Sequence, residues 1–166
     1  MTIQTKPILF LDVDGVISLF GFSPTIPALP GPIHWVDGVA HCIPDDVGER
    51  VTRLSEHFDL VWATGWEQRA NEHLPGALGL GPFPHLSFDR VRKDSRHAHW
   101  KLGAIEAHAG PERPVAWVDD QFDASCDAWA ASRPGPTLLV RTDPAVGLTR
   151  AHADALVAWA AALGGP

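Results

Sequence analysis

Four short apolar runs punctuate the chain, each stopped by polar or turn-forming residues. Pro7-Ile8-Leu9-Phe10-Leu11-Asp12-Val13-Asp14-Gly15-Val16 is the first, followed by Asp59-Leu60-Val61-Trp62-Ala63, Pro114-Val115-Ala116-Trp117-Val118 and Thr137-Leu138-Leu139-Val140. Runs this short, rich in branched and aromatic residues and bounded by Pro or Gly, read as buried strands. Between them the apolar positions change period. Val47, Val51, Leu54 and Phe58 recur at helical spacing after Pro44, Asp45 and Asp46, residues suited to a helix start. Further helices are predicted through Glu67 and Ala70, from about His97 to Ala109, up to Ala131, and from the cap Thr149 to Gly164. Gly15 to Ile43 and Leu74 to Pro84 are dense in Gly and Pro and read as loops. Strands alternating with helices imply a parallel sheet with helices on both sides.

Composition narrows the class. At 166 residues the simplest organisation is one domain, residues 1–166, with a sizeable core. The N-terminal stretch lacks a signal-peptide apolar region, no window approaches a membrane span, and two cysteines make no disulfide scaffold. A cytoplasmic protein without membrane contact is therefore expected. The formal charge of −7 argues against nonspecific coating of nucleic acid, and the nine histidines show no compact zinc spacing with the cysteines. Lysine is scarce: only Lys6, Lys93 and Lys101 occur.

Candidate chemistry lies where strands stop. The first ends at Asp12 and Asp14, the third at Asp119 and Asp120. Ligands of open parallel sheets bind beyond the carboxyl ends of the strands, and alternation along a strand sends Asp12 and Asp14 out of the same side. Carboxylates so close together repel unless a cation or a shared proton intervenes, so the pairs ask for a metal. The plainer alternatives are an Asp-Gly turn at Asp14 and capping of the following helix by Asp119-Asp120. Thr64-Gly65 ends the second strand, where a hydroxyl either caps the next helix or holds a phosphoryl oxygen. The one basic cluster contains Arg92, Lys93, Arg96 and Lys101. Such runs usually form a solvated face; Arg92, Lys93 and Arg96 are also suited to gripping phosphates of an extended substrate.

Asp-Val-Asp-Gly-Val after an apolar first strand resembles the opening motif of the haloacid dehalogenase-like (HAD) superfamily, mostly magnesium-dependent phosphohydrolases, and from Ile8 to Val140 all four of its motifs follow in order. The wording around Val61–Trp66 and Trp100-Lys101-Leu102 is similar to the capless branch associated with Swiss Army Knife RNA-repair proteins. The resemblance implies an α/β, Rossmann-like three-layer α/β/α sandwich with a mostly parallel central sheet. It also implies a short flap at about 16–43 and no full cap domain. In it Asp12 is the nucleophile forming an aspartyl-phosphate, Asp14 the general acid and base, and Thr64 the holder of the phosphoryl group. Lys101, with Lys93 as the alternative, offsets charge. Mg2+ is held by the Asp12 carboxylate, the Asp14 main-chain carbonyl and Asp119, with Asp120 acting through water or orienting the site.

An open, capless site suits large phosphorylated substrates such as a nucleic acid end, with a nucleotide or other small phosphate ester close behind. Dehalogenation is disfavoured, since it does not need Asp14 or the acid-rich metal site. The contrasting expectation is a non-catalytic binding module, whose mark would be a missing motif acid, and none is missing. Phe20, Phe22, His34 and Trp35 in the flap are expected to pin the loop to the body more than to stack on a substrate ring.

Overall fold

The computed structural model describes residues 5–88 and 99–165. The four apolar runs form one parallel sheet of β1 (Ile8–Leu11), β4 (Asp59–Trp62), β5 (Val115–Asp119) and β6 (Thr137–Arg141), in the order β4-β1-β5-β6. β1 sits inside the sheet because it is apolar on both faces, every residue of it being buried. Its even-numbered side chains, Ile8 and Phe10, meet Leu102 and Ile105 of α3 (Leu102–Ala109) and Cys126 of α4 (Ala124–Ser132). Its odd-numbered ones, Leu9 and Leu11, meet Val51 and Leu54 of α1 (Val47–His57), Leu74 of α2 (Arg69–Leu78) and Leu156 of α5 (Arg150–Leu163). Two apolar clusters on opposite faces of one sheet make the Rossmann-like α/β/α sandwich. None of the described helices is long and apolar enough to cross a membrane.

Local signals account for the ends of several elements. Asp123, and not Asp119 or Asp120, caps α4 by accepting from the Ser125 and Cys126 backbone N–H groups. Thr149 and His152 form a reciprocal capping box at the start of α5. α1 begins at Val47, a turn later than Pro44, because Asp45 and Asp46 occupy the entry turn. The expected loop from Leu74 is corrected: α2 continues through Pro75 to Leu78, where Gly79 ends it in a left-handed conformation. Ala70, Leu74 and Leu78 are all buried on one stripe of α2, and that packing outweighs the cost of proline inside a short helix.

Within the Gly15–Ile43 insertion, β2 (Ile33–Val36) and β3 (Val39–Cys42) form an antiparallel hairpin. Asp37 and Gly38 turn it with positive φ values of 51° and 79°, the conformation that a two-residue hairpin loop favours. This Asp-Gly signal was legible in the sequence but hidden by the surrounding Gly and Pro. Trp35 is 72 % exposed and Phe20 is also exposed, so neither pins the flap. Trp35 lies opposite Ala40 and out of phase with His41, the neighbour that faces the body.

One buried network holds α3, α4 and β6 together. Arg133 donates to Glu106 Oε2 at 3.1 Å, Thr137 Oγ1 at 2.7 Å and the carbonyls of Gly110 and Arg113 at 2.5 and 3.0 Å. Lysine cannot reproduce this fork of donors. Arg133→Lys should lower stability by about 2 kcal/mol, read as a lower urea midpoint, by leaving half-buried carbonyls unpaired.

Candidate active site

The strand register builds the site. Leu11 is paired with Trp62 on one side and Val118 on the other, so the next residues, Asp12 and Asp119, emerge level at the carboxyl edge. Continuing the alternation of Ile8 and Phe10, and of Val115 and Trp117, sends both carboxylates to the face that α3 covers. Lys101 immediately precedes α3 and is only 2 % exposed. Its Nζ donates to Asp119 Oδ2 at 2.6 Å and lies 3.2 Å from Asp12 Oδ2. The Asp119 carboxylate also accepts from the Trp117 indole at 3.2 Å and the Gln121 backbone at 3.0 Å, while Asp12 Oδ1 accepts from Val13 N–H at 2.8 Å.

His99 positions the start of α3. Its backbone N–H donates to Ser125 Oγ at 2.8 Å, and Nε2 lies 3.1 Å from the Gln121 carbonyl. Nδ1 accepts from Lys101 N–H at 3.3 Å, which makes Nε2 the protonated nitrogen of a neutral ring. Burial accordingly holds the His99 imidazole below its usual range.

Asp120 completes an acidic cluster: one oxygen each from Asp12, Asp119 and Asp120 all lie within 4.8 Å of one another. Its approach depends on Gly15, which has φ +80° and no side chain. A Cβ there would stand 2.6 Å from Asp120 Cγ. Thr142 Oγ1, from the loop after β6, fixes the same turn through the Gly15 carbonyl at 2.7 Å.

Among the described residues, Lys101 is the one cation paired with these carboxylates. Burial, opposed by Lys101 and reinforced by Asp119, pushes Asp12 up to about 7. Burial and Asp119 also raise Asp120. A cluster of hard oxygens whose negative charge exceeds its local balance is the donor chemistry that Mg2+ takes, so these residues fit such an ion.

Asp14 does not join the cluster. The strand ends at Leu11, and Val13 to Ser18 form a tight turn in which the Ile17 and Ser18 N–H groups both donate to the Val13 carbonyl. Regular strand alternation therefore stops short of Asp14, whose carboxylate is not among the three clustered acids. Instead Asp14 Oδ2 accepts from the Trp66 indole at 2.9 Å, and Oδ1 lies 3.9 Å from His41 Nδ1, itself 2.8 Å from Ser18 Oγ. His41 packs edge-on against Trp66, with ring centroids 4.8 Å apart. Neither Trp66 nor His41 carries a sequence signal for this contact: one follows the Thr-Gly motif, the other sits on the flap, and only the fold joins them.

Thr64 is buried at the end of β4, and its hydroxyl accepts from Trp66 N–H at 3.2 Å. It is not the cap of α2, which starts only at Arg69. Gly65 follows with the Trp100 ring as its neighbour. Arg92, Lys93 and Arg96 lie outside the described residues.

No curated protein matches the chain. A family model does, over residues 8–153, which takes in β1, the flap, all the acids of the site, Lys101 and the start of α5. A match across most of the chain, on a parallel sheet whose carboxyl edge gathers these residues, settles the family: the protein belongs to the HAD domains found in Swiss Army Knife RNA repair proteins.

Proposed function

We propose that the chain is a magnesium-dependent phosphohydrolase acting on a phosphate monoester, with a nucleic acid end or a nucleotide as the substrate class. The observation that carries this reading is the division of labour among the acids. Asp12, Asp119 and Asp120 cluster together with Lys101 paired to the first two, whereas Asp14 is bonded to Trp66.

An oxygen of Asp12 attacks phosphorus and forms an acyl-phosphate as the P–O bond to the leaving group breaks. Asp14 gives its proton to that departing oxygen. Asp14, now ionised, takes a proton from water as the water attacks the aspartyl-phosphate, releasing phosphate and restoring the Asp12 carboxylate. Lys101 and the Thr64 hydroxyl hold the non-bridging oxygens, the lysine countering their charge in both steps. Asp12, Asp119 and Asp120, with the Asp14 main-chain carbonyl, would hold Mg2+. Held there, Mg2+ would supply charge neutralisation to the phosphoryl transfer. Phosphate release from an aryl phosphate that needs added Mg2+ supports this reading, and its absence from a panel that includes phosphorylated RNA ends rejects it.

Trp66 supplies a sharper test. Its indole N–H orients Asp14 and leaves the other carboxylate oxygen to carry the transferable proton. Trp66→Phe keeps the ring but removes the donor. We expect kcat to fall about tenfold for alkyl phosphates, whose leaving oxygen needs protonation, and to change little for p-nitrophenyl phosphate. A uniform loss on both esters would mean that Trp66 supports the fold and not the proton.

A further inference from the structure

Trp100 stands beside the lysine of the site, and nothing in the proposed chemistry uses it. Lys101 Nζ, 3.2 Å from the Asp12 oxygen, is 5.1 Å from the centroid of the Trp100 ring. A phosphoryl group held against Asp12 and Lys101 is then one lysine away from that indole, which puts the ring within reach of the organic group it carries. The ring is fixed on one flank by Phe88, edge-on at 4.6 Å, and on another by His99, near-parallel at 6.1 Å. His99 is in turn held edge-on against Trp117, whose indole donates to Asp119. The ring is thus built into the site's own framework, yet 48 % of the residue is exposed. Its Cη2 edge faces Gly65, the residue after Thr64, where an added Cβ would already be 3.9 Å away. A rigid, half-open aromatic surface one lysine away from the nucleophile offers what a planar base requires and an aliphatic alcohol does not use.

The geometry points to Trp100 as a stacking platform for the base of the nucleotide whose phosphate enters the site, which makes it a specificity residue for nucleoside phosphates and nucleic acid ends over aliphatic phosphate esters. This rests on the hydrolase reading for the place of the phosphoryl group, and not for the binding itself. Stacking on a π-face tolerates every base, so selectivity falls on base against no base and not on sequence.

The test compares wild type, Trp100→Ala and Trp100→Phe on adenosine monophosphates (3′ and 5′) and on glycerol 2-phosphate. KM is read from phosphate release and Kd from calorimetry, both with Mg2+ present. In Trp100→Ala the nucleotide KM and Kd should rise roughly 5- to 150-fold, the span that loss of one base–aromatic stack produces. Trp100→Phe should recover most of that, and in both variants glycerol 2-phosphate should lose much less than the nucleotides. Equal losses on both esters, no loss on either, or wild type that does not bind the nucleotides at all would overturn the platform. The two readings separate cleanly. Trp100-dependent nucleotide binding without any phosphate release keeps the platform and removes the hydrolase. Magnesium-dependent release from both esters that ignores Trp100 does the reverse.

Discussion

Asp12→Asn should abolish magnesium-dependent phosphate release, with a loss of about four orders of magnitude or more in kcat. The amide is nearly isosteric with the carboxylate. Its oxygen can still accept from Val13 N–H or from Lys101, so the fold has no reason to fail. The lost property is nucleophilicity: an amide oxygen cannot form the acyl-phosphate. Stability should move the other way. Burial disfavours the charged form of Asp12 enough to raise it to about 7, so the neutral amide removes a strained charge. The metal-free variant should therefore melt at or above the wild-type temperature at pH 8. Activity within a few-fold of wild type would remove Asp12 from the role of nucleophile; a lower melting temperature would mean that its charge stabilises the fold, contrary to its burial.

Lys101→Met is expected to be as severe and to show its effect even without substrate. The methionine fills much of the same volume, but the buried ammonium that bridges Asp12 and Asp119 is gone. Leaving buried carboxylates without their partner costs about 3–5 kcal/mol in comparable sites. The sign with pH follows from Asp12. In the folded wild type its value near 7 is raised above the ordinary 3.8, so its contribution to stability is full below about pH 4. That contribution is lost as pH rises through 7. Removing Lys101, which opposes that rise, should push Asp12 higher still, so the metal-free variant keeps losing stability as pH rises beyond 7. Added Mg2+ should restore part of it, and the Mg2+-induced shift in melting temperature should grow from pH 5 to pH 8. A variant with unchanged stability and an unchanged pH slope would show that Lys101 is electrostatically idle in the resting site.

The two glycine- and proline-rich segments mark the limit of reading from pattern. Composition predicted loop at Leu74, whereas the burial of Ala70, Leu74 and Leu78 keeps α2 going through Pro75. The flap aromatics read as anchors, yet hairpin alternation turns Trp35 outward and gives the inward contact to His41.

What the sequence alone determined is the set of strands and the acids at their ends. A short run that is apolar on both faces, bounded by Pro or Gly, reads as a buried parallel strand, and such a strand delivers whatever follows it to the carboxyl edge of the sheet. Asp12, Asp119 and Asp120 were legible for that reason, while Lys101 was legible only as the better placed of two candidates, with Lys93 left open. Tertiary structure alone decided which acids meet. The turn at Val13–Ser18 breaks the period of β1 and sends Asp14 to Trp66 and His41, while Gly15 and Thr142 let Asp120 close on Asp12 and Asp119. These contacts join residues far apart in the chain through turns without any period, and a pattern of hydrophobic and polar positions carries no trace of them.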